Sequence, residues 1–143
     1  MLHRKTRALA VLTSLVLAGA CASLVGPPAI VPVEFAFGVN RLANEAAFLV
    51  ERGAEAVVVR GSLRTPCQPY DARASADVVD GTLVLRVTGV ASGGCPQDVV
   101  SSVGYQAIVR TRSADYTRLR VVHRWKDANW PEEIAVDTAW AVR

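Results

Sequence analysis

Histidine and methionine are nearly absent from this chain. There are two histidines, His3 and His123, and one methionine, Met1. Cysteine is scarce too, at Cys21, Cys67 and Cys95. Zinc sites draw on several His and Cys side chains, and copper sites on His, Met or free Cys, so neither metal finds a ligand set here. No C-x-x-C marks a redox pair. Asp71, Asp77 and Asp80 are spread over alternating segments and a turn, which excludes a calcium loop. A Ser-His-Asp set would have to use His123, and no G-x-S-x-G surrounds Ser101 or Ser102. Glu132 and Glu133 are adjacent; a strand sends neighbours to opposite faces, so they cannot flank a glycosidic bond together. The expectation is a protein without cofactor or metal that is not an enzyme. A small hydrolase using His123 is the outlying alternative.

A long apolar run is missing as well. The longest, Ala8–Ala20, is interrupted by Thr13, Ser14 and Gly19. At about 1.5 Å per residue it covers about 20 Å, short of a hydrocarbon core of about 30 Å. It follows the basic residues Arg4, Lys5 and Arg7 and ends in small residues, which is the order of parts in a secretory signal peptide. Its last residues, Leu17-Ala18-Gly19-Ala20-Cys21, resemble the lipobox of bacterial lipoproteins. The resemblance implies that residues 1–20 are removed and that Cys21, thioether-linked to diacylglycerol, becomes the N-terminus. Ala18 stands where that family more often has Leu. The rival is an ordinary signal peptidase acting at Ala18-Gly19-Ala20. Because Ala22 rather than Asp follows the cysteine, the resemblance implies a lipid anchor in the cell envelope, at the outer membrane of a Gram-negative cell. It covers these residues alone and is silent about the domain that follows.

Loss of the leader changes the charge. Of 16 basic and 13 acidic residues, three basic ones and no acidic one lie in residues 1–20, leaving 13 of each. A nucleic-acid partner, which wants a net basic surface, therefore loses its warrant. The cysteines sort themselves the same way. With Cys21 acylated, Cys67 and Cys95 remain as a pair that an oxidising compartment would join. The loop closed is about 28 residues, worth roughly 3–4 kcal/mol by chain entropy.

Residues 21–33 read as the lipidated cysteine and a tether, whose three prolines favour an extended path, and residues 34–143 as one domain. Within it, apolar residues alternate with polar ones in short runs. The runs are Val57–Arg64, Asp71–Val78, Leu83–Thr88, Tyr105–Val109, Arg118–Arg124 and Ile134–Val142, with a seventh at Ala47–Glu51. Asp80-Gly81 between two runs is a strong hairpin signal, and Ser113-Ala114-Asp115 marks a second turn. The reading is an all-β, antiparallel two-sheet sandwich of about six to seven strands. The alternative is α+β with one short helix near 41–52, capped by Asn40 and ended by Gly53. The sandwich loosely resembles exported immunoglobulin-like modules, but no Trp lies between Cys67 and Cys95, so the likeness concerns architecture alone.

All three tryptophans fall in the last 19 residues. Trp140 is in phase with Ile134 and Val136 and is expected in the core. Trp125 and Trp130 flank a polar turn, where aromatics can anchor a partner or a sugar. Arg118, Arg120 and Arg124 share one parity, so a strand would present them as a row. That row is either paired with Asp127, Glu132, Glu133 and Asp137 or free as a basic platform. The candidate binding surface is Arg118, Arg120, Arg124, Trp125 and Trp130. The leading expectation is a lipid-anchored binding or scaffolding domain with an envelope protein or glycan as partner. An accessory or inhibitory subunit docking through the loops at Cys67 and Cys95 is the second.

Overall fold

Every regular element among the described residues is a strand, in a computed structural model that describes residues 28–42, 48–66, 69–93, 100–126 and 128–141. In chain order they are β1 (Ala29–Val31), β2 (Val33–Leu42), β3 (Leu49–Arg52), β4 (Val57–Thr65), β5 (Tyr70–Val79), β6 (Thr82–Ala91), β7 (Ser101–Val109), β8 (Arg118–Trp125) and β9 (Glu133–Ala139). They form a five-stranded sheet, β1-β5-β6-β8-β9, and a four-stranded sheet, β2-β7-β4-β3. The six alternating runs are β4 to β9, and the seventh is β3. All pairs are antiparallel except β6 and β8, which run parallel with Thr82 opposite Arg118 and Gly89 opposite Trp125. The exception follows from connectivity. The chain leaves β6 for β7 in the other sheet and returns, and two crossings restore the original direction.

Of the two strands beyond the expected number, β1 lies in the segment read as tether, and β2 starts at its last residue and runs on into the expected domain. Ala29–Val31 pairs with β5, and past Pro32 the chain enters β2 in the opposite sheet. Pro32 has no N–H for a ladder, which suits it to the switch, and its carbonyl accepts from the Arg110 N–H at 3.0 Å. Val31 and Val33 pack against the core on either side, so the expected tether ends earlier than residue 33. The short helix near 41–52 does not form where the chain is described. Arg41 and Leu42 close β2, Leu49–Arg52 is β3, and residues 43–47 lie outside the described residues.

The core is built from one parity of each strand, as a pleated element facing water on one side requires. Val57, Val59 and Leu63 of β4 and Tyr105, Ala107 and Val109 of β7 meet Ala72 and Ala76 of β5, Leu83, Leu85 and Val87 of β6, and Leu119 and Val121 of β8. Full burial of each Val or Leu is worth about 1.5–3 kcal/mol relative to exposure. Gly61 breaks the row of inward side chains on β4 for a steric reason. A Cβ there would lie 2.4 Å from Cε1 of Phe48, whose ring occupies the space.

Two details depart from simple alternation. Asp80 and Gly81 take φ of 48° and 71°, the two left-handed residues of a type I′ hairpin between β5 and β6. On β9 the register shifts between Val121 and Val122, so Val136 lies opposite Val121 but Ile134 lies opposite Val122. One extra residue in a strand sends what precedes it to the other face. Ile134 is accordingly 56% exposed on the outer face, while Val136 and Trp140 pack on the core.

Register also defines two ends. At one, Thr65 lies opposite Ser101, Tyr70 opposite Ala91, and Trp125 closes β8. At the other lie the Asp80-Gly81 turn, Val57 opposite Val109, the start of β8, and Ala29 opposite Val78.

Candidate functional site

β8 sorts its side chains by parity. Arg118, Arg120 and Arg124 face outward, with Val122 in the same row but buried, and Leu119, Val121, His123 and Trp125 face the interior. The outward arginines meet carboxylates from the β9 side. Arg118 donates through Nε and Nη2 to the two Asp137 oxygens at 2.5 and 2.8 Å, a bidentate fork, and Arg120 Nη2 reaches the same carboxylate at 3.1 Å. Arg124 Nε pairs with Glu132 at 2.5 Å. Hydrogen bonding from Arg118 holds the Asp137 carboxyl below its usual range, and the same bond raises Arg118. The row is thus charge-matched at each of its three arginines, with Arg118 and Arg124 still exposed.

Trp125 leaves β8 at the end that also carries Thr65 and Tyr70. Its indole N–H donates to the Arg64 carbonyl at 2.7 Å, tying β8 to the end of β4. Trp130 packs edge-on against it, with ring centroids 5.3 Å apart at 69°. Both indoles are half-buried. Behind Trp125 stands His123 at 6.4 Å, and behind His123 stand Tyr105 and Phe48, each at 5.8 Å. The rings form a continuous column from the middle of the core to the end of the sandwich.

His123 lies deep in that column, 3% exposed, with Nε2 hydrogen-bonded to the Tyr105 hydroxyl at 3.0 Å across the two sheets. Burial lowers its pKa from 6.5 to about 4 and raises the Tyr105 phenol well above its ordinary value. The serines considered as nucleophiles are elsewhere. Ser101 is buried, with Oγ 2.9 Å from Thr65 Oγ1, and Ser102 is buried on the neighbouring position of β7. A neutral, walled-in imidazole bonded to a phenol has the chemistry of an internal strut.

Cys21, Cys67 and Cys95 lie outside the described residues. The strands on either side of Cys67 and Cys95 are described. The connection holding Cys67 runs between Thr65 and Tyr70, and that holding Cys95 between Ala91 and Ser101. Both therefore leave the Trp125 end of the sandwich. The two connections touch where they are described, through a bond from the Ser92 N–H to the Pro69 carbonyl at 3.2 Å. Among the described residues, no group of three His, Cys, Asp or Glu side chains could hold a metal ion, and no helix is long and apolar enough to cross a membrane.

At the opposite end is a cleft that sequence reasoning missed. It measures about 880 Å³ and is lined by Arg52, Ser113, Tyr116, Thr117 and Trp140, with small residues between them. The Arg52 guanidinium sits over the faces of Tyr116 and Trp140, 4.9 and 4.7 Å from their centroids. Its Nη2 donates to the carbonyls of Ser113 and, at 2.9 Å, Tyr116. Among the described residues, Arg52 Nε and the Tyr116 hydroxyl are buried without a hydrogen-bond partner. Burial raises the Tyr116 phenol, and the neighbouring cation works against the rise. No local pattern could have revealed this cluster, since its three residues come from β3, the β7–β8 connection and the tail of β9. Comparison with protein-family models, curated proteins and solved structures found no match to the chain.

Proposed function

We propose that this protein is a non-catalytic, lipid-anchored module of the cell envelope, held at Cys21 and presenting the Trp125 end of its sandwich to a partner. The observation that carries the reading is where the chain enters the fold. Ala29 starts β1 at the end opposite Trp125 and Trp130. Seven residues separate it from Cys21, a span of at most about 30 Å when fully extended. A ten-residue strand such as β5 is itself about 33 Å long. An anchor at Cys21 would hold the domain by its entry end, with the tryptophan end a strand's length farther along the fold. The partner surface comprises Arg124, Trp125 and Trp130, with Arg118 and Arg120 farther down the same strand. The half-buried Trp130 and the exposed Arg124 are the residues a partner would meet first. His123 serves the core.

The second reading, an accessory or inhibitory subunit, is favoured by the emergence of the Cys67 and Cys95 connections at this same end. One purification separates the two. Wild-type protein should partition with membranes and show the acyl mass increment, and Cys21→Ser should yield a water-soluble or unprocessed product. A mutant that stays with the membrane would remove the anchor. A heterologous protein recovered in stoichiometric yield and lost on Trp130→Ala or Arg124→Ala supports the accessory subunit. Recovery of none points to a glycan, lipid or scaffolding role. Trp125 is a poorer target, because its bond to Arg64 also braces the fold.

A further inference from the structure

We infer that the cleft at the entry end, between Arg52, Tyr116 and Trp140, is a binding site for a carboxylate-bearing small organic ligand, a role separate from the surface at Trp125. Charge makes the case. Among the described residues three arginines are partly buried, Arg52, Arg86 and Arg120. Arg86 has Asp77 and Arg120 has Asp137 as carboxylate partners, whereas Arg52 has none within 4 Å among the described residues. A partly desolvated cation with no anion beside it is costly, and proteins that keep one either neutralise it or use it.

The hydrogen bonding points the same way. Arg52 spends Nη2 on two backbone carbonyls, which fixes the plane of the guanidinium against the β7–β8 connection. Nη1 makes no bond among the described residues and is not among the buried unpaired atoms, so it is open to the cleft. Beside it, Tyr116 is 1% exposed, with its hydroxyl enclosed next to the Arg52 guanidinium. Arg52 Nε and the Tyr116 hydroxyl are enclosed behind the cleft wall, so a ligand would meet Nη1 rather than either of them. The aromatic faces of Tyr116 and Trp140 hold the cation in place before any ligand arrives.

The cleft also limits the ligand. Its volume suits a molecule of metabolite size, and Gly53, Ala54, Ala114 and Ala141 leave room for it beside the Trp140 indole. One cation among the lining residues balances one negative charge, which favours a monocarboxylate over a phosphate dianion. The hydroxyls of Ser113 and Thr117 supply further polar contacts on the rim.

Benzoate titrated into the isotopically labelled full chain in neutral detergent, followed by the Arg52 Nε–H and Trp140 indole resonances, tests this. Benzamide is the neutral control of the same shape. Benzoate should move both resonances saturably, and benzamide should leave them in place. Arg52→Gln should weaken benzoate at least tenfold. Ala114→Trp, which adds bulk at an exposed position on the cleft wall, should do the same at unchanged thermal stability. The assignment falls if benzamide binds as well as benzoate, if Ala114→Trp leaves affinity intact, or if no benzoate shift occurs. It falls too if inorganic phosphate binds more tightly, or if phosphatidylglycerol vesicles shift these resonances while benzoate does not, since a phosphate or headgroup site would then be present.

Discussion

His123 shows how much a single side chain depends on what stands opposite it. Its parity with Leu119 and Val121 marks it as inward-facing from the sequence, but the partner that satisfies it, Tyr105, belongs to the other sheet. The consequence is a pH dependence whose sign is fixed. The unfolded chain takes up a proton at His123 near the ordinary 6.5, whereas the folded imidazole resists protonation down to about 4. Between those values the unfolded state binds more protons, so stability from this group is complete above about pH 6.5 and declines as the pH falls toward 4. The gap corresponds to a loss on the order of 3 kcal/mol. Urea midpoints measured between pH 7 and 4 should therefore fall more steeply for the wild type than for His123→Gln. Parallel curves would show that His123 is protonated equally in both states. Arg52 is the counterexample in legibility, since nothing near Glu51-Arg52-Gly53 says that its neighbours will be Tyr116 and Trp140.

Elements followed their local signals wherever those signals were backbone chemistry. Asp80-Gly81 forms the hairpin its residue types demand, and its two positive φ values explain why. A Cβ at Gly81 meets nothing closer than Thr117 Oγ1 at 3.9 Å, so the cost of a side chain there is conformational strain alone. Gly81→Ala should lower stability by about 1 kcal/mol in chemical denaturation, while Asp80→Gly should change it by only a few tenths. Equal losses at the two positions would mean that the turn is not type I′ in solution. Parity arguments were less complete. They hold along β4, β5, β6 and β8 but fail at Ile134, because the bulge on β9 is a property of its pairing with β8 and leaves no mark in composition. The row of Arg118, Arg120 and Arg124 was visible as a row, but its matching by Asp137 and Glu132 depended on which strand lay beside it.

Across the whole molecule, topology groups features that are far apart in sequence. The connections carrying Cys67 and Cys95, the Trp125–Trp130 pair and the Arg64 carbonyl all gather at one end, and the chain entry, the hairpin and the Arg52 cleft at the other. The bond from Ser92 to the Pro69 carbonyl brings the two cysteine-bearing connections together at their described edges. A disulfide between Cys67 and Cys95 would cross-link these two connections. Mass mapping without reductant should recover the two cysteine peptides joined, and reduction should lower stability by roughly 3–4 kcal/mol. Free thiols at both positions would leave the connections held by backbone bonds alone.

What the chain determined by itself was whatever depends on neighbours in sequence: the alternation that makes strands, the turn that needs two left-handed residues, the leader-like start and the shortage of metal ligands. The tertiary structure alone decided what depends on neighbours in space. That includes the parallel β6–β8 pair, the entry of residues 29–33 into both sheets, the neutralised arginine row, and the cation between Tyr116 and Trp140 that has no carboxylate partner among the described residues. The division has a physical cause. Backbone torsions and hydrophobic periodicity act over a few residues, whereas charge pairing, desolvation and cavity shape are set by surfaces that meet only after the sheets have packed.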